Sequence, residues 1–263
     1  MYDFHLDRYA YFQTQIQNTK NSIIPFLKSN GFILNPKLKV MEIGCAEGGV
    51  LRAFVDEGCL GTGVELDTLR FEQASVYLKK EIADDRIELY NKNIFDVDFK
   101  EKFSGEFDLI ILKDVIEHVH EQKQLLFSLK SYLKPNGLVF LGFPPWYMPF
   151  GGHQQICNSK VLSRLPWIHL LPKKAYKFLL NKFKEDTEYL MDIKETGIGI
   201  NRFEKTCKDV GYSLVGKEHF LISPIYEYKF GLKPQRQFRI IEQIPFLRDF
   251  LTTGVYYIIK PVE

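Results

Sequence analysis

The sequence lacks the features that mark several specialised classes of protein. It holds only four cysteines among 263 residues, and their spacing contains no CxxC pair, so no zinc site is predicted. No apolar run approaches the roughly 20 residues that a membrane span needs. The N-terminus, MYDFHLDRYA, is polar and acidic and is therefore unlike a signal peptide. We expect free cysteines and a cytoplasmic location.

A large net charge is lacking as well. The 35 Lys and Arg residues nearly balance the 33 Asp and Glu residues, which leaves +2 at neutral pH. This balance argues against a nucleic-acid partner that would need bulk positive charge. With 45% hydrophobic and 26% charged residues, the composition is that of an ordinary globular protein. The chain is long enough to fold as a single domain over residues 1–263 without a disulfide or a metal.

Strand and helix signals alternate along the first half of the chain and return near its end. Strands are predicted at 38–43, 62–66, 87–90, 107–112, 138–143, 213–221 and 254–260, and helices at 6–30, 50–58, 68–83, 114–133 and 201–211. This alternation predicts an α/β fold, a doubly wound and mostly parallel seven-stranded sheet with helices on both faces. The last strand is expected to pair antiparallel.

Two segments stand outside this alternation. Residues 1–35 are expected to form an N-terminal helical segment, whose helix ends at Gly31. Residues 144–200 combine Pro, Trp, His and Lys in an irregular order, and we interpret them as an inserted cap that is helical around 173–183. The cap segment LPWIHLLPKKAYKFLLNKFK alternates apolar and basic residues, which fits a lid over a ligand, a dimer surface or a peripheral contact with a membrane. The oligomeric state, monomer or homodimer, stays open.

The segment LKVMEIGCAEGGVLRAF predicts a strand, a glycine loop and a helix in direct succession. Such a unit places backbone N–H groups and a helix N-terminus at the carboxyl end of a strand, where α/β sheets bind ligands. Gly44 permits a tight turn, and Gly48 permits the close approach of a ligand. Glu42 can accept a hydrogen bond from an ammonium group. Glu65, roughly 20 residues after the turn, can hold both hydroxyls of a ribose.

This segment resembles the first motif of class I S-adenosylmethionine-dependent methyltransferases, which reads acid-x-Gly-x-Gly-x-Gly. The chain reads Glu42-Ile43-Gly44-Cys45-Ala46-Glu47-Gly48, with alanine at the middle glycine. The resemblance implies a Rossmann-like fold, methyltransferase activity and S-adenosyl-L-methionine as cofactor, with S-adenosyl-L-homocysteine as product.

The same resemblance implies which residues bind the cofactor. They follow the ends of the first four strands: Glu42, Gly44, Cys45, Ala46, Glu47, Gly48, Glu65, Leu66, Asp67, Asn93, Ile94, Lys113 and Asp114. Asn93 stands where the family usually has an acid that reaches the adenine, and Asp96 is a rival for that position.

Two later segments resemble a particular group within this family. FDLIILKDVIEHV is similar to a segment of the ubiquinone and related small-molecule methyltransferases, with matches at Asp114, Ile116, Glu117 and His118. LKPNGLVFLGFPP is similar to the turn and fifth strand of that family. The resemblance implies methylation of an oxygen atom on a small molecule, a quinone-like ring, or a glycan- or lipid-linked acceptor.

Other functions remain alternatives. A short-chain dehydrogenase would need a Tyr-x-x-x-Lys pair, and neither KDVIEHV nor the segment after it offers one. A catalytically inactive module that binds S-adenosylmethionine would bind the cofactor without methyl transfer. A protein or RNA methyltransferase is disfavoured by the neutral charge and, for amine methylation, by the lack of an Asn-Pro-Pro-Tyr motif.

Two histidines are candidates for the general base that a hydroxyl acceptor would require. His118 follows the fourth strand in the predicted helix, and it either serves the site or packs locally. His153 lies in PFGGHQQ directly after the fifth strand, at the edge of the sheet where ligands bind, or in a loop that tethers the cap. His118, His153 and His169 share no metal-site spacing, so no metal is expected.

Overall fold

Eight strands form one sheet in the part of the chain that the computed structural model describes, residues 7–262. Their bounds are β1 Lys39–Ile43, β2 Leu60–Val64, β3 Ile87–Tyr90, β4 Phe107–Lys113, β5 Leu133–Phe143, β6 Tyr212–Ile222, β7 Gln235–Arg236 and β8 Gly254–Pro261. The order across the sheet is β3-β2-β1-β4-β5-β8-β6-β7. β1 to β5 pair in parallel, and β8 runs antiparallel to β5 and β6. The predicted fold class is confirmed, with the two-residue strand β7 as an addition.

Helices cover both faces of this sheet. The α-helices of the described residues are α1 Arg8–Asn18, α2 Ile24–Ser29, α3 Gly49–Asp56, α4 Thr68–Tyr77, α5 Lys79–Ala83, α6 Val97–Lys102, α7 Gln122–Leu129, α8 Lys173–Lys182, α9 Thr187–Thr196, α10 Ile200–Asp209, α11 Ile225–Phe230, α12 Arg239–Glu242 and α13 Pro245–Leu251. Within residues 7–262, every helix is too short or too polar to cross a bilayer.

The central strands are buried on both faces, which explains their unbroken apolar runs. In β4, Leu109 packs with Phe54 of α3 in the core on one face of the sheet. The neighbouring Ile110 belongs to the core on the other face, together with Phe203 of α10. Because successive side chains of a strand point to opposite faces, one strand contributes to two cores.

The helix predicted at 114–133 is wrong in its first half. A 3₁₀ turn at Ile116–His118 follows β4, the chain is extended at Val119, and α7 begins only afterwards. Asp114 has a φ of +55°, a left-handed conformation that interrupts any direct passage from the strand into a right-handed helix. His118 therefore lies in a short turn rather than in the first turns of a helix.

Two other predicted helices are divided. A π-helical turn at Thr19–Ile23 separates α1 from α2, where the sequence predicts one helix over 6–30; residue 6 lies outside the described part. Such turns occur frequently near functional sites. The helix predicted at 68–83 is split at Leu78 into α4 and α5.

Residues 144–200 extend from the end of β5 to the first residue of α10 and contain an apolar cluster of their own. Cys157, Leu162, Tyr176 and Leu180 are among its buried members. α8 coincides with the helical prediction in this segment, whereas α9 and the 3₁₀ turns before α8 are additions. The helices α11 to α13, which follow β6, are additions as well. Tyr189 of α9 and Tyr226 of α11 lie near the carboxyl ends of β4 and β5, because they line one cleft with Lys113 and Phe143.

Candidate functional site

The loop between β1 and α3 turns through three residues with positive φ. The angles are +66° at Gly44, +48° at Ala46 and +81° at Gly48. The N–H groups of Gly44 and Cys45 donate to the carbonyl of Val64 at 2.8 and 3.1 Å, which ties the loop to the end of β2. Ala46 thus holds a left-handed conformation that costs an L-residue roughly 1–2 kcal/mol, at the position where the resembled motif has glycine.

The Glu65 carboxylate supports this loop from the end of β2. Its Oε2 accepts from the Ala46 N–H at 2.7 Å, and its Oε1 accepts from the Asp67 N–H at 2.9 Å. Asp67 in turn caps α4, because its side chain accepts from the Arg70 N–H at 3.1 Å. Each carboxylate oxygen can accept two hydrogen bonds. Glu65 is therefore held in place by the backbone and retains acceptor capacity for a pair of hydroxyls.

Glu42 has a structural partner that the sequence did not predict. Its Oε2 accepts from the Leu51 N–H in the first turn of α3 at 2.9 Å. The residue is 3% exposed, and burial raises the pKa of its carboxyl well above the ordinary value. One oxygen of Glu42 thus stabilises the start of α3, which satisfies one of the unpaired N–H groups of a helix N-terminus.

A small cavity beside the loop collects several buried polar atoms. Glu42, Glu47, Lys113 and Gln15 of α1 are among its lining residues. Gln15 Oε1 and Glu47 Oε2 are buried with no hydrogen-bond partner in the described part of the chain, whereas Glu47 Oε1 accepts from Arg8 at 2.9 Å. Buried acceptors of this kind are suited to a donor from outside the chain, such as a ligand or an ordered water. Sequence reasoning missed Gln15, since only its place on the buried side of α1 distinguishes it.

The residues predicted to face an adenine lie after β2 and β3. The Asn93 amide oxygen accepts from a backbone N–H two residues on at 3.0 Å, so it is engaged in its own turn. Ile94 is buried, and Leu66 is 66% exposed. Asn91, which the sequence reasoning missed, donates from Nδ2 to the carbonyls of Glu65 and Leu66 at 2.7 and 3.1 Å. Asn91 could have been identified from the sequence, because it is a polar residue directly after a predicted strand.

Lys113 and Asp114 form an ion pair where β4 ends. The Lys113 Nζ lies 2.5 Å from Asp114 Oδ2, and the lysine side chain is only 6% exposed. Burial acts to raise the pKa of Asp114, but the Lys113 ammonium outweighs it and holds that pKa below the ordinary value. The pair places a positive and a negative group at the boundary between the small cavity and a larger cleft.

The larger cleft has a volume of about 610 Å³ and opens at the carboxyl edge of the sheet. This volume lies in the range of roughly 300–1,000 Å³ that ligand pockets occupy. Aromatic side chains make up much of its wall: Tyr11, Phe143, Phe150, Tyr189, Tyr226, Phe230 and Tyr256. They come from α1, β5, the cap, α11 and β8. The cleft thus offers an extended apolar surface with hydroxyl groups at intervals.

His118 and His153 meet in this cleft although they are far apart in the sequence. Their rings lie edge to face with centroids 4.9 Å apart. Burial lowers the pKa of His118, and Asp114 opposes that shift only in part, so the imidazole is neutral near pH 7. His153 has a φ of +55° and follows two glycines. A Cβ on Gly152 would come within 2.2 Å of the Cβ of His169, so glycine is required for this path.

Glu117 completes a cluster with the two histidines. It is 4% exposed, and both carboxyl oxygens are without hydrogen-bond partners among the described residues. Burial raises the pKa of Glu117 well above its ordinary value. One ligand atom from each of Glu117, His118 and His153 lies within 4.8 Å of the others, a spacing that could hold a metal ion. His169 is not part of this cluster, because its Nε2 bonds to the Trp146 carbonyl at 2.8 Å.

A buried hydrogen-bond network joins the turn of His118 to α9. Thr196 Oγ1, at the end of α9, donates to the Glu117 carbonyl at 2.6 Å. Gln122 Nε2 donates to the carbonyls of Ile116 at 3.0 Å and of Thr196 at 2.5 Å. The position of His118 therefore depends on α9. No local pattern in the sequence could have paired residues this far apart.

Known proteins resemble this chain in sequence. A family model described as a methyltransferase domain matches residues 12–178. The ubiquinone biosynthesis O-methyltransferase of Histophilus somni (strain 2336) is 24% identical over 161 residues, which make up 58% of this chain and 60% of that protein. The protein of the same name from Rickettsia canadensis (strain McKiel) is 26% identical over 177 residues, 66% of this chain and 68% of that protein. The chain thus spans about 60% of the length of the Histophilus relative.

Solved structures share the fold over most of the chain. A putative sarcosine dimethylglycine methyltransferase from Galdieria sulphuraria aligns with a TM-score of 0.59 at 12% identity, over 92% of this chain and 85% of that one. Geranyl diphosphate C-methyltransferase from Streptomyces coelicolor A3(2), crystallised with Mg²⁺, geranyl diphosphate and S-adenosyl-L-homocysteine, aligns with a TM-score of 0.58 at 16% identity, over 92% and 81%. At these identities the likeness concerns the fold alone.

Proposed function

The chain belongs to the class I S-adenosylmethionine-dependent methyltransferases, and on that premise we propose that it methylates an oxygen atom of a small-molecule acceptor. S-adenosyl-L-methionine supplies the methyl group from its sulfonium, and S-adenosyl-L-homocysteine is the product. The observation that carries the proposal is the approach of His118 and His153 to 4.9 Å in a cleft beside the glycine loop.

The residues around the loop fit this cofactor. Glu65 offers its carboxylate to a ribose diol, and the unpaired buried oxygens of Gln15 and Glu47 are suited to an ammonium group. Lys113 offers a cation near the same cavity. We assign the remaining contacts to the loop and to the ends of β1 to β4: Glu42, Gly44, Cys45, Ala46, Gly48, Leu66, Asp67, Asn93, Ile94 and Asp114.

The histidine pair supports proton removal from a hydroxyl. Transfer to oxygen requires the acceptor atom in line with the methyl group and the exclusion of water. As the new O–C bond forms, the O–H proton passes to a ring nitrogen of His153 or His118. A neutral imidazole is needed for this step, and burial keeps His118 in that form. Proton transfer of this kind contributes typically about 10²–10⁴-fold to a rate.

The wall of the cleft supports an acceptor with a flat ring. Phe143, Phe150 and Tyr256 present aromatic surface, and Tyr11 and Tyr226 add hydroxyls. Aromatic walls of this type bind rings by offset or edge-to-face contact. The names of the Histophilus and Rickettsia relatives point the same way, toward a quinone-like ring. A glycan- or lipid-linked acceptor with a hydroxyl is the alternative within this proposal.

The cap is proposed to act as a lid whose outer side touches an anionic membrane. Residues 160–184 contain seven Lys and Arg residues and no Asp or Glu. Large apolar side chains are exposed among them, with Phe178 at 69% and Val161 at 57%. Basic residues beside exposed apolar ones are typical of segments that lie on a membrane surface. Failure to co-sediment with vesicles rich in anionic lipid would remove this part of the proposal.

Substitution of the histidines tests the catalytic proposal. His153→Ala and His118→Ala should lower kcat by about 10²-fold or more, while the Kd for S-adenosyl-L-homocysteine stays within about twofold. His120→Ala is the matched control, because His120 is exposed, pairs with Asp192 at 2.7 Å and does not line the cleft. Turnover is expected to persist in EDTA.

The outcomes separate the competing functions. Intact turnover in both His153→Ala and His118→Ala would contradict the proposal that one of these histidines acts as the general base. Tight binding of S-adenosyl-L-homocysteine without methyl transfer to hydroxylated small molecules would favour a non-catalytic binding module. Loss of turnover in EDTA would instead assign Glu117, His118 and His153 to a metal ion.

A further inference from the structure

The charges around the cleft are unbalanced. Its charged lining residues are Arg8, Arg70, Lys113, Asp114, Glu117 and Lys229. Lys113 is paired with Asp114 at 2.5 Å, and Arg8 is paired with Glu47 at 2.9 Å. Burial favours the neutral form of Glu117, so this carboxyl offsets little positive charge. Arg70 therefore adds a positive charge to the cleft with which none of these carboxylates forms an ion pair.

Arg70 is the basic residue whose position is not explained by a protein partner. Its side chain is half-buried, yet it forms no ion pair and no side-chain hydrogen bond with the described residues. It also stands in the first turn of α4, where the positive end of the helix disfavours a second positive charge. A half-buried guanidinium in such a place is suited to an anion, with which it can form two charge-assisted hydrogen bonds.

Arg70 lines the cleft that holds the histidine pair. Tyr11 of α1, His118 and Tyr189 of α9 line the same cleft. The residues that line the small cavity beside the glycine loop do not include Arg70. It is therefore separate from the atoms assigned to the cofactor's amino-acid end. Because Arg70 and His118 line the same cleft, an acceptor that fills the cleft can contact both.

We propose that Arg70 binds an anionic group of the acceptor, a carboxylate or a phosphate, while the acceptor hydroxyl lies at the histidine pair. This inference rests on the proposed O-methylation and names its substrate class as an aromatic or otherwise apolar acid. The planar guanidinium can donate two parallel hydrogen bonds to either anion, which fixes the acceptor's orientation as well as its affinity. The positive helix N-terminus beneath Arg70 favours the same charge.

Calorimetry and kinetics with three related probes test the subsite. Catechol, 3,4-dihydroxybenzoate and 3,4-dihydroxyphenylphosphonate are titrated into the protein saturated with S-adenosyl-L-homocysteine, and their KM values are measured where turnover occurs. The wild-type protein should bind at least one of the anionic probes about tenfold or more tightly than catechol. Arg70→Gln should remove that difference by raising the Kd and KM of the anionic probes, while the Kd values of catechol and of S-adenosyl-L-homocysteine stay within about twofold. Arg164→Gln, on the exposed surface of the cap, is the matched control.

The readouts separate the subsite from the proposed reaction. Anion binding that depends on Arg70, even without methyl transfer, supports the subsite and counts against O-methylation of these probes. Methyl transfer with equal affinity for catechol and both anions overturns the subsite and leaves the reaction intact. An Arg70→Gln variant that loses affinity for S-adenosyl-L-homocysteine also overturns it, because Arg70 would then serve the cofactor. A comparison of the Kd values of the two anionic probes shows whether the subsite prefers a carboxylate or a phosphate-like group.

Discussion

Replacing Glu65 with glutamine should weaken cofactor binding while the fold persists. The carboxylate accepts from two backbone N–H groups, those of Ala46 at 2.7 Å and Asp67 at 2.9 Å. A glutamine offers one oxygen and one NH₂ group, so it can satisfy only one of these donors. Its NH₂ group also cannot accept from a ribose hydroxyl. The substitution therefore changes both the position of the loop and the proposed contact to the ribose.

The size of the effect follows from the bonds that are lost. A hydrogen bond to a charged group contributes about 1.5–3 kcal/mol. Loss of one such bond to the ribose should raise the Kd for S-adenosyl-L-homocysteine by roughly 10- to 150-fold. Repulsion between the new NH₂ group and a backbone N–H would raise the Kd further, whereas rotation of the side chain toward solvent would make the rise smaller.

Isothermal titration calorimetry with S-adenosyl-L-homocysteine measures the change directly. Glu101→Gln, which alters an exposed carboxylate on α6, is the matched control and should leave the Kd unchanged. Circular dichroism of both variants verifies that the fold is retained. A folded Glu65→Gln protein whose Kd lies within about twofold of the wild type would refute the assignment of Glu65 to the ribose.

The other predictions concern stability. Thr196→Val should lower the thermal midpoint by several degrees, because the buried Glu117 carbonyl would lose its donor at a cost of about 1–3 kcal/mol. Thr206→Val, which removes a more exposed contact, is the control in scanning fluorimetry, and equal shifts would contradict the network. Ala46→Gly should raise the midpoint slightly, since relief of the +48° φ exceeds the added entropy of glycine, and a lower midpoint would count against strain there. Burial lowers the pKa of His169 to about 4, so the unfolded chain binds the extra proton below about pH 6.5 and stability is lost as the pH falls toward 4. In urea, the wild type should therefore lose about 2 kcal/mol more than His169→Gln between about pH 7 and pH 5, and parallel profiles would disprove this.

The parts of the fold that the sequence predicts are those specified by local pattern. β4 reads as an apolar run because both of its faces are covered, and its neighbours follow the same rule. The glycine loop is recognisable because Gly44 and Gly48 occupy positions with positive φ. Glu65 follows from the spacing of two strands. Each of these signals lies within a few residues of the feature that it predicts.

The remaining features depend on contacts between distant segments. Gln15 is one polar residue among several in α1 until the helix is packed against the loop. The approach of His118 to His153 depends on the path of the cap and on Thr196, which fixes the turn after β4. The prediction that a helix begins at residue 114 was wrong, because no feature of the composition there reveals the left-handed backbone of Asp114.

The position of β8 in the sheet means that β6 and β7 can join the parallel strands only after β8 has been synthesised. Within residues 7–262, β6 and β7 are joined to the parallel strands only through β8, which pairs with both β5 and β6. During synthesis on the ribosome, β6 emerges more than thirty residues before the strand that connects it to the rest. Until then it has no central partner, and its unpaired N–H and C=O groups can pair with another chain. A chain that ends within α11 to α13 would thus lack β8 and would leave an edge of β5 and of β6 open, a target for chaperones and a starting point for aggregation.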